Sequence, residues 1–444
     1  MLTGIWKGLL VMSIVVGQAM ALEIPLTVEE GKGIDRVKNA VNSGVPLPKG
    51  AVKDVAGLRL LDAMGNVVVA SIEPRARWLG DESLKWVTVH FTADLPANSK
   101  KTYTLVTSDI SLPTTQLVVE QVDKNITVIT GPAKFVISTD RFAPFDQVYI
   151  RDDNAKDFVD DDALLTKPAR VILVGRNGES RVVPRTGEYE DEFRTERIRI
   201  DALPFTQTAV VETAEIEERG PGRVVVALKG TFSTAEAKSL DFTARLYFYS
   251  GSPAAEITFS VVNRQLESMA QFVSLDRLAV EFSLKVTDQA MARLGVDGKT
   301  VAQPLSDSGV RLAQTDWDAC TLNGDVVGEK YDGWVRLVSD ASTLTAGTRW
   351  SWQVHPMGAG VRADGTVSLD LKSTDSEPVE LYTAGAKTHF LFFHFARGEA
   401  PEPQAISSGT RDPLFAVCDP NWYCQETRVF GDLFANNPAL FQEQ

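Results

Sequence analysis

Apolar and polar positions alternate through most of this 444-residue chain, the period of a strand with one face buried. Early runs are 67-VVVASI-72, 86-WVTVHF-91 and 103-YTLVTS-108, each rich in β-branched or aromatic residues. Turn clusters separate them at 62-DAMGN-66 and 94-DLPANSK-100. This set closes near residue 110 and predicts a small β-barrel or sandwich over 22–112. A second, longer series follows over 113–398, including 223-RVVVALKGTF-232, 242-FTARLYFYS-250, 256-EITFSVV-262, 334-WVRLVS-339, 350-WSWQVHP-356 and 388-THFLFFHF-395. Strands at this spacing predict a large antiparallel β-sandwich, with a hairpin turning at Ser250–Pro253. The fold class is therefore all-β. One stretch, 287-TDQAMARLG-295, reads as a helix with Gly295 as its stop. Residues 399–444 change character: 399-EAPEPQAISSGTRDP-413 reads as a linker, and the apolar tail after it is too short for a domain.

Composition narrows the function. The net charge of −14 argues against nucleic acid, whose phosphates need clustered Lys and Arg. Residues 1–21 read as a signal peptide, with Lys7, an apolar run from about Gly8 to Gly17, and Ala19-Met20-Ala21 at the cleavage site. That run is too short to span a bilayer, so the expectation is an exported protein, periplasmic or extracellular, with no membrane contact after cleavage. A signal anchor is the other reading. Three cysteines, Cys320, Cys418 and Cys424, allow one disulfide: Cys418 with Cys424, or Cys320 with either. The acidic segment 152-DDNAKDFVDDD-162 invites calcium, but its spacing lacks the glycine of a calcium loop, so a solvated loop is expected and no cofactor is assigned.

Three stretches carry a resemblance: 43-SGVPLPKGAVKD-54, 58-LRLLDAMGN-66 and 77-RWLGDESLKWVTVHFTADLPANSKKTYTL-105. They resemble the N-terminal RIFT barrel of the exo-rhamnogalacturonan lyase and YetA-like family. Its central β-sandwich is similar to 130-TGPAKFVIS-138, 245-RLYFYSGSPAAEITFSVVN-263 and 384-AGAKTHFLFFHF-395. The resemblance implies a RIFT-type β-barrel followed by the sandwich, and a polysaccharide lyase that cleaves pectin-like uronic-acid polysaccharide by β-elimination. Family members continue into a C-terminal α/α toroid, and 399–444 reads only as a linker and the start of one. It follows as an expectation that a separate chain supplies the toroid. The alternatives are a non-catalytic carbohydrate-binding or scaffold protein, or a truncated gene product.

Elimination at a uronic acid needs a cation for the carboxylate, a base for the C5 proton and an acid for the leaving oxygen. In 384-AGAKTHFLFFHFARG-398, alternation sets Lys387 and His389 on one face, about 7 Å apart at ~3.3 Å per residue, and His394 on the other. Arg397 shares the first face but stands roughly 26 Å from His389 by the same spacing. Lys387 and His389 are therefore the catalytic candidates, against the plainer role of a structural histidine beside a solvated lysine. Trp350, Trp352, His355 and Arg397 are the substrate-binding candidates, with core packing the competing role for the two tryptophans.

Overall fold

The computed structural model describes residues 22–151, 157–184, 195–235, 238–265, 270–287 and 289–436. The expected signal peptide lies outside them. The first body is built from β1 (Glu23–Glu29), β2 (Arg36–Pro46), β3 (Leu58–Asp62), β4 (Ser71–Arg77), β5 (Leu84–Leu95) and β6 (Lys100–Thr107). Alternation explains their packing: in β1, Ile24, Leu26 and Val28 point inward while Glu23 and Glu29 stay in water. One sheet runs β2-β5-β4, and a second carries β1-β6-β3. They close on a core that includes Leu26, Val41, Val87, Phe91 and Leu105.

The second body is an antiparallel system of eighteen strands running in sequence from Leu165–Pro184 to Ala386–Ala396. It folds back on itself through extra pairings, such as Leu165–Pro184 with Gln271–Leu284. A four-stranded sheet between Val118 and Ile150 joins its core. Phenylalanines packed at a tilt fill the middle: Phe135 lies 5.0 Å from Phe248, and Phe282 lies 4.9 Å from Phe393. Burying each such ring is worth about 1.5–3 kcal/mol relative to leaving it in water. The Ser250–Pro253 hairpin forms as expected, with Gly251 at a φ of +75°.

Several expectations need correction. The stretch predicted as a helix at 287–295 is instead the start of a strand, Met291–Val296, paired with Tyr331–Val338. Gly295 is no helix stop: a Cβ there would lie 2.3 Å from Nε1 of Trp334, so the strand needs glycine to pass that ring. The segment from Trp350 to Val354 is a turn rather than a strand, with Trp350 at a φ of 58°. Alternation therefore says nothing about how Trp350 and Trp352 are aimed. The expected linker contains α1 (Pro403–Arg411), the only α-helix among the described residues. Its Ser407, Ser408 and Gly409 are poor helix formers, so intrinsic propensity hides it. Packing holds it instead, since the small residues are buried and a Cβ on Gly409 would come within 3.3 Å of Asn39. Beyond α1, Ala416 and Val417 pair with Val28 and Thr27 of β1, so the chain returns to the first body. Cys418 packs into that core and Cys424 stands half-exposed; both are free thiols rather than the expected pair, as is Cys320.

Candidate functional site

Three neighbouring strands set the geometry: Lys238–Tyr249, Ala254–Val262 and Ala386–Ala396. In their register Tyr247 lies opposite Glu256, Glu256 opposite Phe392, and Ala254 opposite His394. Opposed residues share a face of the sheet, so Tyr247, Tyr249, Glu256, Phe392 and His394 all project from the outer one. Glu256 is the diagonal neighbour of both Tyr249 and His394, at a Cα spacing of about 7–8 Å, which is within reach for long side chains. The row continues through Thr345, opposite His394, to Arg336, whose Nε donates to Thr345 Oγ1 at 2.6 Å. A second Arg336 nitrogen donates to the carbonyl of Pro401 and so ties down the entry to α1.

The first body and α1 roof this row. Lys38, Asn39 and Ala40 of β2 close one side, and Ala405, Ile406, Gly409 and Thr410 of α1 close another. Between roof and sheet lies a cavity of about 670 Å³, with Arg151 and Arg397 also in its wall. That volume is within the ordinary range for a small-molecule site.

The electrostatics follow from this covering. Burial raises the pKa of Glu256 from 4.5 to about 7, against the opposing pull of the Arg223 charge and the nearby Thr410 hydroxyl. Its carboxyl group therefore carries a proton part of the time near neutral pH. Burial, with the charge of Arg336 adding to it, pushes His394 down to about 4, so its imidazole is neutral. The Nδ1 atom of His394 is buried with no hydrogen-bond partner among the described residues. Burial and then the charge of Glu256 raise the pKa of Tyr249, which stays a phenol. Its hydroxyl donates to Asn42 Oδ1 at 3.1 Å, and the same oxygen accepts from Arg223 at 3.3 Å. His90 Nδ1 lies 2.8 Å from that oxygen as well. Arg223 also donates to Glu218, which pairs with Arg75 at 2.8 Å. Polar contacts from β2, β4 and β5 thus fasten the first body to the sandwich beside the cavity.

The residues expected from the sequence are scattered. His389 lies opposite Phe259 on the inner face, where burial and the charge of Lys387 push its pKa to about 3. Lys387 is half-buried on that same face, opposite Val261. Neither lines the cavity. Arg397 does line it, and pairs with Asp162 at 3.3 Å. Trp350 is exposed, with its ring 5.6 Å from Phe390, whereas Trp352 lies beneath Lys330 at 4.6 Å. His355 Nδ1 is 3.2 Å from the carbonyl of Trp352, and its Nε2 is 3.7 Å from Asp316. Of the acidic 152–162 segment, 152–156 lie outside the described residues, and Asp162 is spent on Arg397 and the Val159 amide.

Sequence reasoning passed over Glu256 and Tyr249. Both stand at outward positions of alternating strands, where a solvated side chain is the ordinary expectation. The available signal was a lone Glu beside two Tyr in 245-RLYFYSGSPAAEITFSVV-262. Nothing local announced the roof.

Comparison with known proteins fits this architecture. Residues 174–293 match the family model of the PcRGLX-like protein central beta sandwich domain. The sequence matches no curated protein. Among solved structures, an alpha-mannosidase from Enterococcus faecalis shares 13% identity over 89% of this chain and 46% of its own, at a TM-score of 0.50. A glycosyl hydrolase family 38 protein from Enterococcus faecalis is similar at the same identity and TM-score, with 47% of its chain covered. The chain thus spans about half the length of those proteins, and at that identity the likeness is one of fold.

Proposed function

We propose that this chain, which carries the PcRGLX-like central β-sandwich domain, acts on a uronic-acid polysaccharide of the rhamnogalacturonan type by β-elimination, at the roofed cavity of the sandwich. The observation that carries this reading is the placement of Glu256 between Tyr249 and His394, under a roof that shifts its pKa to about 7. A base works best when its pKa lies near the working pH, and Glu256 is the group so tuned. In its ionised form it takes the C5 proton of the uronate. The electron pair released moves into the new C4–C5 double bond, the C4–O bond breaks, and the proton returns to the leaving oxygen from the same carboxyl group. Arg151 and Arg397 supply positive charge for the sugar carboxylate, whose neutralisation makes the C5 proton acidic. His394, neutral and with a free ring nitrogen, is suited to hold a sugar hydroxyl.

Export and a helical partner belong to the same reading. Phe430, Leu433 and Phe434 are exposed and apolar beside the first body, a surface suited to a partner that brings the toroid. A binding-only role is the second reading, favoured by exposed Trp350 and Trp317, since aromatic faces stack on sugars.

The test is incubation of the purified chain with rhamnogalacturonan, alone and with a toroid-type protein, while ultraviolet absorbance of unsaturated uronate is followed. Rising absorbance is the expected result. Sugar binding without absorbance in either mixture would transfer the assignment to the binding-only role.

A further inference from the structure

The cavity is not the end of the seam between the two bodies. The residues next in the chain line a second, smaller cleft of about 350 Å³. Where β2 gives Lys38 to the cavity, it gives Arg36 to the cleft; where α1 gives Thr410 to the cavity, it gives Arg411 to the cleft. On the sheet side Phe392 lines the cavity, while Arg349, whose amide bonds to the carbonyl of Phe390, lines the cleft. The two spaces therefore lie side by side along one seam, in the arrangement a chain-like ligand needs for successive residues.

The cleft is positive within a chain of net charge −14. Its lining holds Lys32, Arg36, Arg349 and Arg411 against Glu29 and Asp412. Most of these charges are already matched. Arg36 is held by buried Glu30 at 3.0 Å, and Glu29 by Lys100 at 2.9 Å. Asp412 is shared between Arg411 at 3.0 Å and Lys32 at 3.9 Å. Arg349 is the one left over: it has no ion pair among the described residues, and its Nε is shielded from water without a hydrogen-bond partner. The Trp350 ring, 4.4 Å from its guanidinium carbon, holds it in place. An Nε–H shielded from water without an acceptor is costly, and a planar carboxylate matches the fork of donors on this half-buried guanidinium.

We propose that this cleft is a second subsite, which takes the carboxylate of the next acidic sugar along the polysaccharide on Arg349, with Lys32 in support. This proposal rests on the acidic-sugar reading above. Binding and chemistry nevertheless fail separately, because the cleft is read out by affinity and the cavity by absorbance.

The experiment is calorimetric titration of the full chain with a saturated rhamnogalacturonan tetrasaccharide, which carries two uronates, its carboxyl-reduced counterpart and inorganic phosphate. The acidic sugar should bind, and Arg349→Ala should weaken it by about tenfold or more, the scale of one charge-assisted bidentate contact. Lys32→Ala, at a solvated position outside the core, should weaken it severalfold, and added salt should mimic both changes. Equal affinity for the reduced sugar, or an unchanged affinity in both variants, overturns the subsite. Phosphate binding as tightly as the acidic tetrasaccharide overturns the sugar assignment and leaves a general anion site. Absence of elimination by a chain that still shows the Arg349-dependent affinity sinks the catalytic reading and keeps the subsite.

Discussion

His389 and His394 stand five residues apart on one strand and share a buried, neutral state, yet they meet different surroundings. The inner face gives His389 a neighbourhood of Phe259, Leu391 and Phe393. The outer face gives His394 a row of Glu256, Tyr249, Thr345 and Arg336, with open space above it. Burial alone therefore does not mark a functional histidine. What separates the two is whether the burying wall is a packed core or a second body standing off the sheet. A core has no room for a substrate; a domain seam does.

The largest effect should come from the outer face. His394→Ala and Tyr249→Phe should each lower the rate of unsaturated-uronate formation by about tenfold to a thousandfold, with melting temperatures near that of the parent, on the scale of lost positioning and proton-transfer contacts. If either variant kept the parental rate, the distinction between the faces would fail.

Next in size is the inner face. His389→Ala removes a ring from a closed core, and large-to-small changes there cost about 2–5 kcal/mol. Thermal unfolding should show that loss, while the rate per folded molecule stays unchanged. A large fall in that rate would return His389 to the chemistry.

Protonation sharpens the comparison further. Burial holds His90, His389 and His394 at pKa values of about 3, 3 and 4, below the ordinary 6.5. The unfolded chain takes up these protons first, so their contribution to stability is complete above pH ~6.5 and erodes as the pH falls toward the folded values. Glu256 has the opposite sign. Its folded pKa of about 7 exceeds the unfolded 4.5, so its contribution is complete below about 4.5 and lost as the pH rises through about 7. Each group changes stability by at most ~1.4 kcal/mol per pH unit. Denaturant titrations from acid to neutral pH should show Glu256→Gln steepening the rise of stability with pH between about 4.5 and 7, by removing the opposing slope. Unaltered curves would place Glu256 in water.

The smallest effect belongs to Lys387. It is half-buried at the strand's opening end, and Lys387→Met should change stability by less than about 0.5 kcal/mol and leave the rate alone.

The sequence made the layers readable because alternation is a local property. It placed Lys387 with His389 and opposed them to His394, and the register bears out that geometry. What it could not supply was the cover over each face, which depends on contacts hundreds of residues apart. Asn39 of β2 meets Ala405 of α1 across such a gap, and no local pattern encodes it. Glycine misled at 295 for a related reason. Its requirement comes from the Trp334 ring on another strand, and in sequence that looks the same as a helix stop. The helix at 403–411 was hidden because its serines and glycine serve close packing at the expense of propensity.

The most direct measurement is the initial rate of unsaturated-uronate formation by Glu256→Gln beside that by Lys387→Met, on the same rhamnogalacturonan and at matched folded concentration. A roofed outer face that performs the elimination predicts a fall of about a hundredfold or more for the first and a parental rate for the second. The reverse pattern, with Glu256→Gln near the parental rate and Lys387→Met inactive, would contradict it.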